Sequence, residues 1–386
     1  MSVETGAGPP VGAVPPPETD RRYMRLALAL GARHLGLTWP NPSVGAVVVA
    51  GPPEAPVVVA QGVTQVGGRP HAERAALDAA GAAARGATLY VSLEPCSHQG
   101  LTPPCADAVV AAGIARVVTA MSDPDPRVAG RGHARLEAAG VAVTTGVLAR
   151  EAMRAHRGHV LRVTQGRPSV TLKLARTADG FASARGPGRL RITGPVADAR
   201  VHLMRAHADA ILVGVGTVLA DDPLLTVRLP GLTDRAPVRV VLDARLRTPA
   251  AAALVAGARS VPTLVVAGPD APEAAARALA AAGVEVARVP LGPDGRLDLA
   301  AALRFLAAHG FTRVFCEGGP TLADALARDG LVDEVWLLTG PDAAGGAGGL
   351  PAVGPHLARL IEGRAVEETR LGPDRAGQVV IEPGDH

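Results

Sequence analysis

The sequence predicts two α/β domains in series, and three observations carry that reading. Short apolar, β-branched runs alternate with helix-length stretches along most of the chain. A length of 386 residues with 48% apolar content is enough for more than one core. The residues capable of chemistry fall into two groups, separated by a helical stretch that ends at Pro168.

Taken in order, residues 1–20 are rich in Pro and Gly and lack an apolar run, so they cannot bury enough surface to order themselves. They are expected to be a disordered tail and do not resemble a signal peptide. A helix is expected from about Asp20 to Leu35, then strands over Val44–Ala50 and Val57–Gly62. The next helix runs to about Ala84, with His71 and Glu73 in its first turn facing a pocket at its N-terminus. Strand Ala87–Leu93 leads to Cys96, a helix from about Pro103 carries Cys105, and strands near Val117 and Val141 complete a three-layer α/β/α domain over 21–148. A helical linker, 149–167, follows. Beyond it, strands over Ser169–Ala175, Ala210–Val213, Val238–Leu242, Thr263–Val266, Arg313–Cys316 and Glu334–Leu338 alternate with helices, giving a second α/β domain over 168–386.

Composition narrows the function. Three cysteines cannot build a disulfide framework, which fits a reducing cytoplasm. No stretch approaches 18 uninterrupted apolar residues, so no membrane partner is expected. The pI of 9.1 invites nucleic acid, but the net charge is only +3, the arginines are scattered, and 2% aromatic content leaves little for bases to stack upon. A polynucleotide partner is therefore not expected.

His71-Ala72-Glu73, Pro95-Cys96 and Cys105 collect an imidazole, two thiols and a carboxylate. Zinc held by three such protein ligands keeps a fourth position for water and lowers its pKa to about 7. In zinc nucleobase deaminases a glutamate two residues after the histidine is not a ligand but shuttles protons, and Glu73 occupies that place. The alternative is a closed zinc knuckle or two buried thiols, which would need a fourth ligand and leave Glu73 without a task.

The cysteines are separated by eight residues rather than two. With Leu93-Glu94 before it, the stretch Pro95-Cys96-Ser97-His98-Gln99-Gly100-Leu101-Thr102-Pro103-Pro104-Cys105 closely resembles the deaminase half of the bifunctional riboflavin-biosynthesis deaminase/reductases. Asn41-Pro42-Ser43-Val44-Gly45, Asp123-Pro124-Asp125-Pro126 and Ala129-Gly130-Arg131-Gly132 resemble the same family's pocket segments, in the same order. In the second half Leu172-Lys173-Leu174, Asp179-Gly180, Gly214-Val215-Gly216-Thr217, Leu219-Ala220-Asp221-Asp222-Pro223, Leu225-Thr226-Val227-Arg228 and Glu317-Gly318-Gly319-Pro320-Thr321 are similar to its reductase half.

The resemblance implies a cytidine-deaminase-like α/β/α domain followed by a dihydrofolate-reductase-like α/β domain, in a homo-oligomer. It implies hydrolytic deamination of a phosphoribosylamino-diaminopyrimidine, then NADPH reduction of the ribosyl group to a ribityl chain. His71, Cys96 and Cys105 would hold Zn2+, Glu73 would move protons, and Asn41 and Asp123 would contact the small-molecule pyrimidine ribotide. Arg205, Leu225, Arg228 and Glu317 would form the reductase substrate pocket. Ala175, Thr217, Asp221, Ala244 and the turn from Gly319 onward, through Pro320, Thr321, Leu322, Ala323, Asp324 and Ala325, would line the cofactor. A glycine turn that follows a strand and opens a helix also suits an anion, although no G-x-G-x-x-G is present.

Departures from the family pattern point to further residues. Leu101 stands where a basic residue meets the substrate phosphate, so Arg69 is the expected replacement cation. Asp125 replaces an asparagine, exchanging a donor for an acceptor-only carboxylate. Arg189, grouped with the substrate contacts, and Arg191, grouped with the cofactor contacts, stand for a serine and a tryptophan. Lys173 is the chain's only lysine among 39 basic residues and lies within the expected cofactor site. Three rivals stay open: a deaminase with an inactive reductase-like scaffold, a nucleoside or tRNA deaminase fusion, and a zinc-stabilised nucleic-acid binder.

Overall fold

The computed structural model describes residues 17–52, 54–100, 103–126, 128–183, 191–345 and 349–382. The chain divides into two compact units between Gln165 and Gly166.

In the first unit, α1 (Glu18–Ala32) buries Tyr23, Met24, Ala27 and Leu30 on one helical face. This face covers β1 (Gly45–Ala50), whose residues are buried on both sides, as a central strand requires. The approach is close enough that a Cβ on Gly45 would overlap the Ala27 carbonyl oxygen, which is why only glycine fits there. Then follow β2 (Val57–Val63), α2 (Ala72–Ala80), β3 (Thr88–Val91), α3 (Cys105–Ala111), β4 (Arg116–Thr119), α4 (Arg131–Ala138), β5 (Ala142–Thr144) and α5 (Ala149–Gln165). The described strands form a sheet in the order β2-β1-β3-β4-β5, antiparallel on both sides of β1 and parallel from β3 to β5. Helix α2 stops earlier than expected because Gly81 takes a left-handed φ of 52°, after which a single 3-10 turn spans Gly81–Ala84. Helix α5, expected as a linker, buries Ala152, His156 and Leu161, and Ala152 joins the core cluster built on Tyr23 and Met24.

The second unit contains β6 (Ser169–Arg176), β7 (Phe181–Ser183), α6 (Pro195–Ala206), β8 (Ala210–Gly214), α7 (Val215–Asp221), β9 (Val238–Leu242), α8 (Ala253–Ala256), β10 (Thr263–Ala267), α9 (Glu273–Ala281), β11 (Glu285–Arg288) and α10 (Leu299–Ala308). After these come β12 (Arg313–Cys316), α11 (Pro320–Arg328), β13 (Glu334–Thr339), β14 (Leu350–Pro351), α12 (Pro355–Ile361), β15 (Glu367–Leu371) and β16 (Asp374–Val380). The main described sheet runs β11-β10-β9-β8-β12-β6-β13-β16-β15, parallel from β11 to β13 and closed by the antiparallel pair β16 and β15.

This order explains where a ligand can enter. From β8 the chain moves outward to β9, whereas from β12 it passes over β6 to β13. The connections therefore part at the carboxyl ends of the adjacent strands β8 and β12, a topological switch point that leaves a crevice. Gly214–Thr217 and Glu317–Thr321 leave the sheet there.

Candidate functional site

In the first unit, His71 is the extended N-cap of α2, Glu73 lies in that helix's first turn at 4% exposure, Cys96 follows β3, and Cys105 opens α3. His71 Nδ1 lies 3.7 Å from Cys96 Sγ and 3.4 Å from Cys105 Sγ, and the three ligand atoms fall within 4.8 Å of one another. Tetrahedral zinc, with bonds of about 2.3 Å to sulfur and 2.0 Å to nitrogen, sets its donors about 3.5 to 3.8 Å apart. Two thiols and an imidazole at these separations fit zinc in both softness and geometry. The Cys105 amide also donates to Cys96 Sγ at 3.2 Å, favouring a thiolate there. The hydrogen bonds from Cys105 and His71 hold the Cys96 thiol down to about 4, and burial pushes the Glu73 carboxyl up to about 7. The hydrogen bond with Cys96 raises His71, and the same thiol pushes Cys105 far up. The four groups act as one electrostatic cluster.

Asn41 donates from Nδ2 to Gly68 O at 3.0 Å, which ties its loop to the segment leading into Arg69 and His71. A Cβ on Gly100 would stand 3.4 Å from Arg69 Nη2, so the Arg69 guanidinium reaches the loop between the two cysteines. Leu101 itself lies outside the described residues.

Asp123 follows β4, and its Oδ1 accepts from the Asp125 amide and from His159 Nε2, each at 2.9 Å. His159 belongs to α5, as does His156, which meets Ser92 Oγ at 3.1 Å. Sequence reading missed both histidines. The sequence presents α5 as a linker, and only the fold returns it to the end of the sheet. Glu94 was also missed, although it adjoins the Pro95-Cys96 segment. Its buried carboxylate accepts four amides, from Asp123 (3.1 Å), Gly130 (3.0 Å), Gly132 (2.9 Å) and His133 (3.3 Å). A Cβ on Gly132 would overlap the Pro95 carbonyl oxygen, so this close wrap needs glycine. The segment carrying Asp123 is thus hung from the residue two before Cys96.

In the second unit, Arg205 on α6 forms a fork with Glu317, Nε to Oε1 at 2.5 Å and Nη2 to Oε2 at 3.0 Å, and donates Nη1 to Thr226 O at 2.9 Å. Burial alone would raise the Glu317 carboxyl, but Arg205, with help from Lys173 and His202, holds it below the usual carboxylate range. Leu225 is 3% exposed with a φ of 50°, and Arg228 donates its amide to His202 Nδ1 at 3.3 Å and Nη1 to Thr226 Oγ1 at 3.3 Å. Arg205, Leu225, Arg228 and Glu317 therefore form one cluster, with Lys173 on β6 close enough to act on Glu317.

Ala175, Thr217, Ala244 and Gly319 lie at or just beyond the carboxyl ends of β6, β8, β9 and β12, on one edge of the sheet. Gly319 is the extended N-cap of α11, and neither Gly319 nor Gly216 has anything within 4 Å of where a Cβ would stand. Two open glycines and a helix N-terminus at a switch point suit the phosphates of a dinucleotide. Pro320 and Thr321 share that helix start, and Leu322 approaches Gly214 from it.

Ala323 is wholly buried, and Asp324 Oδ1 accepts the His356 and Leu357 amides, so this carboxylate caps α12 and is not turned to the crevice. Ala325, five residues beyond the start of α11, has likewise left the N-terminal turn. Asp221 is exposed at the end of α7. Arg191 is exposed and pairs with Asp198 Oδ2 at 3.3 Å and Thr193 O at 3.3 Å near the start of α6, while Arg189 lies outside the described residues.

The comparisons agree with both halves. Residues 17–121 match the model of the cytidine and deoxycytidylate deaminase zinc-binding region, and residues 168–374 match the RibD C-terminal domain. The chain is 39% identical over 373 residues to the riboflavin biosynthesis protein RibD of Escherichia coli K12, covering 92% of this chain and 97% of that protein. It is also 39% identical over 328 residues to RibD of Aquifex aeolicus, covering 85% and 88%. A crystal form of Acinetobacter baumannii RibD superposes with a TM-score of 0.80 at 32% identity, covering 95% of this chain and 99% of that one. A Thermotoga maritima diaminohydroxyphosphoribosylaminopyrimidine deaminase/5-amino-6-(5-phosphoribosylamino)uracil reductase gives a TM-score of 0.79 at 30% identity, with the same coverage. The matched ranges contain the His71, Cys96 and Cys105 group and the Arg205–Glu317 cluster, and the chain belongs to the RibD family of riboflavin biosynthesis proteins, bifunctional enzymes with a deaminase and a reductase domain.

Proposed function

We propose that His71, Cys96 and Cys105 hold the zinc of the deaminase, that Glu73 is its proton carrier, and that the pyrimidine ribotide of riboflavin synthesis is its substrate. The observation that carries this is the three-donor cluster at zinc-matching separations, with a buried carboxylate beside it that is pushed up to about 7. Zinc, when bound, supplies the acidity that makes a water nucleophilic at neutral pH. Glu73 would carry the proton between that water and the departing amine, because a buried carboxyl raised toward neutrality can hold or release one. Asn41 and Asp123 orient the base, and Arg69 meets the ribotide phosphate in place of a cation at Leu101.

In the second unit Arg205, Leu225, Arg228 and Glu317 hold the ribotide, with Lys173 beside the reacting end of its ribose. Thr217, Ala244 and the Gly319–Thr321 turn hold NADPH along the sheet edge. NADPH supplies the hydride when bound, and the chain's task is to align the ribose carbon with it. A reducing cytoplasm suits the free thiols, and no described helix is long and apolar enough to cross a membrane.

The experiment is incubation of the purified chain with 2,5-diamino-6-(5-phosphoribosylamino)pyrimidin-4-one, with and without NADPH, and product identification by mass. Deamination adds about one dalton, and reduction a further two or so, by the atoms exchanged. Deamination without reduction would reject the bifunctional reading for this chain and leave the second unit as a scaffold.

A further inference from the structure

One arginine of the second unit stands apart. Arg239 on β9 is 1% exposed and is the largest of the fully buried side chains. Strand alternation puts it on the same face as Val241, among the buried residues Leu225, Leu254 and Val255, with Ile211 and Thr263 opposite it on the neighbouring strands. A buried cation in such a place ordinarily faces an acid, because a charge taken out of water loses its hydration and needs a compensating partner. Among the described residues none is paired with Arg239. Burial holds its guanidinium down to about 10, with no carboxylate contributing.

What it meets is backbone. Nη1 donates to Leu224 O at 3.3 Å and Nη2 to Val261 O at 2.7 Å, while Nε has no partner. A Cβ on Gly257, the residue closing α8, would stand 3.4 Å from Nη1, so the guanidinium lies against that helix end, where carbonyl dipoles favour a cation. Leu224 directly precedes Leu225, whose left-handed φ of 50° turns the chain inward. Two residues beyond Leu224, the Thr226 carbonyl receives Arg205, and Arg228 follows. A second tether holds the same turn from its start, since Asp222 Oδ1 accepts the Ala253 amide at 2.7 Å. An aliphatic side chain would fill this site at lower desolvation cost, yet it could hold neither carbonyl.

We infer that Arg239 is a positioning residue for the reductase, fixing the Leu224 carbonyl and thereby the Leu225–Arg228 wall of the ribotide pocket. It touches neither substrate nor cofactor. The inference rests on the assignment of Leu225 and Arg228 to that pocket, and the test separates the two.

In the full-length chain, Arg239→Met keeps the bulk and removes both donors, and Arg239→Lys keeps the charge but cannot fork between two carbonyls. Reductase kinetics are measured with the aminouracil ribotide and NADPH, together with the NADPH dissociation constant and deaminase turnover. The KM for ribotide should rise about tenfold in the Met variant and less in the Lys variant, with kcat within about threefold, the pattern of lost binding rather than lost chemistry. NADPH affinity and deamination should be unchanged. An unchanged KM in folded Arg239→Met, or a fall in kcat alone, overturns the inference. If the Met variant does not fold, the Lys variant is judged by the same criterion. Arg228→Ala is the control: if it raises KM and Arg239→Met does not, only the positioning role fails; if neither does, the pocket assignment fails as well.

Discussion

Glu94→Gln is the substitution for which the structure makes the sharpest demand. Each oxygen of this buried carboxylate accepts two amides, Oε2 from Asp123 and Gly130, and Oε1 from Gly132 and His133. An amide side chain keeps one oxygen and points a donor at two other donors, whichever way it turns. Hydrogen bonds to a charged group contribute about 1.5 to 3 kcal/mol each, so losing two costs about 3 to 6 kcal/mol. With a urea slope of about 2 kcal/mol/M, the midpoint of the first unit should fall by about 1.5 to 3 M. The chain's two tyrosines, Tyr23 and Tyr90, both lie in that unit's core, with ring centroids 5.2 Å apart, so near-ultraviolet tyrosine dichroism reports its unfolding. Because Asp123 hangs from Glu94, the deaminase KM should rise in the same variant while reductase kinetics stay as they were. A midpoint shift equivalent to less than about 1 kcal/mol, the size of an ordinary neutral hydrogen bond, would refute the clamp.

Cys96→Ser should deplete zinc and abolish deamination while sparing reduction; one retained zinc per chain by elemental analysis would remove Cys96 from the ligand set. Lys173→Arg should impair reduction strongly without loss of folding, because a planar guanidinium cannot replace a compact ammonium beside Glu317, and near-normal reductase kinetics would make the single lysine incidental. Arg191→Ala should weaken NADPH more than NADH, by about 1.5 to 3 kcal/mol, if Arg191 leaves its exposed pair with Asp198 to meet the additional phosphate; equal weakening of both cofactors would place it elsewhere. Asp333→Ala strands the buried Arg167, which it holds through contacts of 2.7 and 2.9 Å, and should destabilise the second unit by about 3 to 5 kcal/mol in denaturant titration.

The sequence by itself was enough for the class of fold and for the grouping of His71, Cys96 and Cys105 beside Glu73. Apolar periodicity marks strands and helices locally, and His71, Glu73, Cys96 and Cys105 come from two short stretches whose residue types admit few uses. Its limits were equally physical. The Asp374–Val380 strand carries no apolar run and exists because it pairs with β13 and β15, a partnership no local pattern announces. Tertiary structure alone brought α5 to the deaminase, joining His159 to Asp123, and it showed that Asp324, adjacent in sequence to the glycine turn, faces α12 instead. It alone singled out Arg239, which in sequence is one arginine among many in a strand. Chemistry that depends on residue type can be read along a chain, whereas the direction a side chain takes, and the backbone atoms it meets, follow from contacts made between distant segments when the sheet assembles.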